Sequence, residues 1–134
     1  MVIGLVPADE QERICEKLIE YYKNIYPGIE FTKEEKELSR EEIGELLYTY
    51  PGEETEATAV EKIRMISSAV GEGYDTPIVV LKTNGKSILL DGHRRVRVAY
   101  SEGLKWKALI IAPNKEVKFG IEEMVMGKVK DLYS

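Results

Sequence analysis

The chain has 134 residues, 43% hydrophobic and 32% charged, with a formal net charge of −5. That length suits one domain with a core large enough to fold without disulfides, and the apolar fraction excludes a disordered polymer. One cysteine, Cys15, and one histidine, His93, exclude a disulfide framework and any zinc cluster built from cysteines or several histidines.

No apolar run approaches the roughly 18 residues of a membrane span, and Met1 to Val6 is too short for a signal peptide. A cytoplasmic protein with no membrane partner is expected. One glutamine and three asparagines among many charged residues follow the thermophile pattern. The charge is uneven. Residues 1–60 carry 15 acidic and 6 basic side chains, and residues 61–134 carry 9 and 13. Nine basic residues fall within 82–118 against Asp91, Glu102 and Glu116, which suits an anionic ligand there.

Residues 8–26 predict an amphipathic helix, with Ile14, Leu18, Tyr22 and Ile25 on one stripe and Pro27-Gly28 as its stop. Cys15 flanks the stripe and reads as a buried structural thiol. Thr32-Lys33-Glu34-Glu35 and Ser39-Arg40-Glu41-Glu42 both fit a capping box, so a helix is expected over about 33–49, re-capped at Ser39. Pro51-Gly52 breaks it, and a third helix follows over about 56–70. Thr76 to Thr83 and Lys86 to Leu90 read as antiparallel strands joined by Asn84-Gly85, the strongest short hairpin signal. A helix from His93 to about Glu102, a strand from Leu104 to Ile111 and a terminal helix over about 119–132 complete a small α/β (α+β) domain. Residues 1–52 form a helical N-terminal extension in this reading, and 53–134 the core. Trp106, Tyr100 and Tyr74 are read as packing residues rather than base-stacking ones.

Asp91-Gly92-His93-Arg94-Arg95-Val96-Arg97 is the unusual stretch. A helix start offers unpaired backbone N–H groups and a positive dipole end. Gly92 permits close approach to the backbone, and arginine supplies forked donors suited to phosphate. Cationic side chains at that end are locally unfavourable, and a bound phosphate offsets this. The competing structural reading pairs the arginines with carboxylates of the acidic first half and makes Asp91 an ordinary N-cap.

Pro77 to Val80, the hairpin, Leu90-Asp91-Gly92-His93-Arg94-Arg95-Val96-Arg97-Val98-Ala99 and the strand to Ile111 together resemble the ParB/sulfiredoxin superfamily. The resemblance covers about 76–111, reaches back through 56–70, and leaves out the first 50 residues. It implies a sulfiredoxin-like fold, a hairpin plus further strands packed with helices, whose G-x-R-R turn binds nucleotide phosphates. Carried over, Asp91, Gly92, His93, Arg94 and Arg95 become phosphate-site residues, with ADP, ATP or CTP as the nucleotide.

Sulfiredoxin places its catalytic cysteine where Gly92 stands, so that activity is not expected. ParB proteins attach a helix-turn-helix domain after this module, and only 23 residues follow Ile111 here. The archaeal ADP-dependent free serine kinase is similar in its Asp-Gly-His-His-Arg turn, with Arg94 the one difference. That branch implies a catalytic glutamate before the helix preceding the hairpin, where Glu53, Glu54 and Glu56 stand. A kinase reading gives Glu54 or Glu56 and His93 catalytic roles, Mg²⁺ as cofactor with Asp91 as its candidate ligand, and a small-molecule acceptor. The alternatives are a ParB-like DNA-associated module or nuclease, and a non-catalytic domain forming a homodimer. The acidic net charge disfavours nucleic acid.

Overall fold

The computed structural model describes residues 5–49 and 56–133, with side chains from residue 60 onward after the gap. Helix α1 spans Ala8–Ile25, followed by strand β1 (Phe31–Leu38), the short helix α2 (Arg40–Glu45) and strand β2 (Leu47–Thr49). Helix α3 (Glu56–Val70) precedes the hairpin of β3 (Ile78–Thr83) and β4 (Lys86–Asp91). Helix α4 (His93–Glu102) leads into β5 (Trp106–Pro113), and β6 (Val125–Lys128) lies between two 3₁₀ turns. The architecture is mixed α/β, with the strands in one six-stranded sheet ordered β1-β5-β3-β4-β2-β6. β3 is central, parallel to β5 and antiparallel to β4, and it is apolar on both faces as the continuous run requires.

The two faces carry separate cores. On one, Ile78, Val80, Leu89, Ala108 and Trp106 meet Ile43 of α2 and Val96 and Ala99 of α4. On the other, Val79, Leu81, Leu109 and Ile111 meet Cys15 and Ile19 of α1 and Phe119. α1, the hairpin and α4 match the sequence reading in their bounds, but α1 buries Gln11, Cys15 and Ile19 and leaves Ile25 of the expected stripe exposed. The Asn84-Gly85 turn has both φ angles positive, 51° and 75°.

Two expected helices are corrected. Residues 31–38 form the edge strand β1 along β5, pairing Glu34 with Ile110 and Lys36 with Ala108, and no helix starts at Thr32. Only the second capping box is real: Glu42 N donates to Ser39 Oγ, and Ser39 N donates to Glu42 Oε1. The expected terminal helix over 119–132 is replaced by β6 and its flanking 3₁₀ turns, because Leu47 to Thr49 offer a free strand edge that β6 pairs with. The first 52 residues are therefore not wholly helical, and they contribute two strands to the sheet that holds the hairpin.

Candidate functional site at the start of helix α4

Gly92 is the N-cap of α4, with φ 104° and ψ 30°, a left-handed conformation that only glycine adopts cheaply. Its main chain is also tightly enclosed. A Cβ there would lie 2.6 Å from Ile78 Cγ2 and 3.3 Å from Arg95 Cζ. Packing alone thus demands glycine at this position. The N-cap glycine has no side chain to cap α4, and the first turn holds no acidic residue, only His93, Arg94 and Arg95. Helix starts ordinarily recruit a Ser, Thr, Asp or Asn cap and acids in the first turn; here the cap is glycine, and the nearest acid, Asp91, lies just outside the helix.

Asp91 precedes the cap and serves the turn rather than the helix. Its Oδ1 accepts from Gly92 N at 3.0 Å, and its Oδ2 accepts from Gln11 Nε2 at 3.0 Å. Arg95 Nη2 lies 3.9 Å from the same Oδ2. The carboxylate is committed to these donors. Among the described residues no group of three or more His, Cys, Asp or Glu side chains could hold a metal ion.

Arg95 is turned inward and is 4% exposed. Its Nη1 donates to the Pro77 carbonyl at 2.6 Å and to the Thr76 carbonyl at 3.4 Å. Trp106 Nε1 also donates to Thr76 O, at 2.7 Å, so that indole is a core anchor. Burial works against the Arg95 charge, and nearby Tyr74 and Asp91 favour it. Arg95 therefore ties α4 to the strand-entry loop. For Arg95 the partners are two backbone carbonyls and Asp91 rather than carboxylates of the acidic first half.

His93 stands partly buried at the mouth. Burial lowers its pKa, with Arg94 adding to that, while Asp91 and a backbone hydrogen bond with Thr49 oppose it. Its Nε2 is buried without a hydrogen-bond partner. Arg94 is partly buried in the same first turn. Glu53 and Glu54 lie outside the described residues. Glu56 is the first residue of α3, and its side chain lies outside the described set.

The basic stretch read from the sequence does not form one patch. Lys107 lies 3.6 Å from Asp75, while Lys82, Lys86 and Lys115 line an open groove of about 1160 Å³ on the sheet face. That groove carries glutamates such as Glu34, Glu41 and Glu116 alongside the lysines, and none of residues 91–95 lines it. Gln11 was missed from the sequence. The signal was present: it falls three residues before Ile14 and seven before Leu18, a polar residue on an apolar stripe.

No protein-family model matches the chain, and no curated protein matches it significantly. Among the described residues no helix is long and apolar enough to cross a membrane.

Proposed function

We propose that the start of α4 binds the phosphate of a nucleotide, and that the chain is a cytoplasmic ParB/sulfiredoxin-like module acting in phosphoryl transfer or nucleotide hydrolysis. One observation carries this reading: a first turn of His93, Arg94 and Arg95 opened by a left-handed glycine that has no side chain to cap it. Such a turn concentrates free N–H groups, dipole and cationic charge on one point, the arrangement an oxyanion satisfies. The superfamily resemblance supports a nucleotide, with ADP, ATP and CTP as the candidates. The phosphate grip falls to Gly92, the first-turn amides, Arg94 and His93. Arg95 supports the turn from within.

Reaction chemistry needs a carboxylate near an acceptor hydroxyl, a role proposed for Glu54 or Glu56, and Mg²⁺ carried largely on the nucleotide phosphates. Neutral His93 presents a lone pair on at least one ring nitrogen, so a fully ionised phosphate favours its protonated form. Binding is then expected to take up a proton near neutral pH.

Calorimetric titration with ADP, ATP and CTP, each with Mg²⁺, tests the reading. The expected result is binding by at least one nucleotide, weakened about tenfold or more by Arg94→Ala. Absence of binding by all three, or binding indifferent to Arg94→Ala, refutes it.

A further inference from the structure

Gln11 sits in the first turn of α1, 80 residues from the turn it touches. Its side chain is fully buried. Nε2 reaches Asp91 Oδ2, and Oε1 has no partner. A half-satisfied amide is an expensive choice for a site beside the apolar neighbours of Cys15 and Ile19. Four buried side-chain polar atoms lack partners among the described residues, and three of them belong to Gln11, His93 and Arg97, which flank or lie on α4. Of these, Gln11 and His93 adjoin Asp91 and the N-cap Gly92, Gln11 through its bond to Asp91 and His93 as the first residue of α4.

Asp91 is the natural competitor for a ligand there. An aspartate readily hydrogen-bonds the backbone N–H two residues on, which here is His93 in the first turn. A carboxylate is also favoured at a helix N-terminus for the same electrostatic reasons as a phosphate. Its side chain is 41% exposed and has room to move. Yet the N-cap of α4 is a glycine, which offers no side chain to its first turn. Both Asp91 oxygens point elsewhere, one to Gly92 N and one to Gln11 Nε2.

We infer that Gln11 is a positioning residue that holds the Asp91 carboxylate off the first-turn amides of α4, keeping them open to a phosphate. The inference rests on the phosphate-binding reading above and assigns it a remote control point. When Gln11 is removed, Asp91 Oδ2 loses its one short hydrogen bond among the described residues and keeps just the 3.9 Å approach of Arg95 Nη2, so the carboxylate swings onto the first-turn N–H groups and shuts out the anion.

A double-mutant cycle tests this, using Gln11→Met, which is similar in length and fills the same space. ADP and inorganic phosphate are titrated into the wild type, Gln11→Met, Asp91→Ala and the double variant, with thermal melts to verify folding. Gln11→Met is expected to weaken binding about tenfold when Asp91 is present. In the Asp91→Ala background the same change is expected to alter affinity by no more than about twofold. An equal loss in both backgrounds marks Gln11 as merely structural and overturns the inference, as does no loss in either. If Gln11→Met does not fold, Gln11→Asn shortens the amide's reach and is held to the same pattern. A wild-type protein that binds neither probe, nor ATP or CTP, refutes the phosphate reading and the inference together, and for one that binds only ATP or CTP the cycle is run with that nucleotide. Binding by the wild type with the wrong cycle refutes only the role of Gln11.

Discussion

Replacing Gly92 with alanine separates two penalties that the structure assigns to this position. The first is conformational. A non-glycine residue in the left-handed region costs about 1–2 kcal/mol. The second is steric. The new Cβ would stand 2.6 Å from Ile78 Cγ2 and 3.1 Å from Ile78 Cβ. Ile78 is fully buried on β3, so it has little room to yield, and overpacking of this kind costs about 1–3 kcal/mol. Gly73 supplies the control, since it has φ +98°, close to the +104° of Gly92, and nothing within 4 Å of its Cβ position. Gly73→Ala is expected to lose about 1–2 kcal/mol and Gly92→Ala about 2–5 kcal/mol. Urea denaturation followed by Trp106 fluorescence measures both, with unchanged m-values securing the comparison. Equal losses at the two positions refute the claim that Gly92 is locked by Ile78.

Arg95→Met removes a buried guanidinium and leaves Pro77 O unpaired, while Thr76 O keeps Trp106 Nε1. A stability loss of about 2–4 kcal/mol is expected by chemical denaturation, and an unaltered midpoint contradicts the inward role. His93 titrates below its ordinary 6.5 because burial opposes its charge. The unfolded chain therefore takes the proton first, so the His93 contribution is full above about pH 6.5 and is lost as pH falls through the folded value. Denaturation midpoints between pH 5 and 8 should fall more steeply for the wild type than for His93→Gln; parallel curves contradict this. Cys15 is fully buried, and burial is the main cause raising its thiol to about 11. A thiol reagent at pH 8 should label it fast only in denaturant, and rapid native labelling contradicts the packing.

Much of the fold was legible locally. The helix α1 and the Asn84-Gly85 turn are decided by residues a few positions apart, and both stand in the structure, but the buried face of α1 is turned to Gln11, Cys15 and Ile19 and leaves Ile25 exposed. The box at Ser39 was equally local and correct. The box at Thr32 used the same signal and failed, because Thr32 to Glu37 lie on an edge strand with both sets of side chains exposed. Charged side chains cost little there, and they also deter pairing by another sheet. Pairing with β5 outweighed helix propensity, which is worth only tenths of a kcal/mol per residue. The same competition turned the segment around Gly127 into β6, opposite Tyr48.

At the site, adjacent residues set the turn: a glycine stands directly before a cationic helix start. Tertiary structure decided what each cation does. Arg95 faces inward because the Thr76 and Pro77 carbonyls wait there, and Gln11 meets Asp91 because α1 packs across the hairpin. Contacts between residues so far apart depend on how the sheet assembles, and no local pattern encodes them.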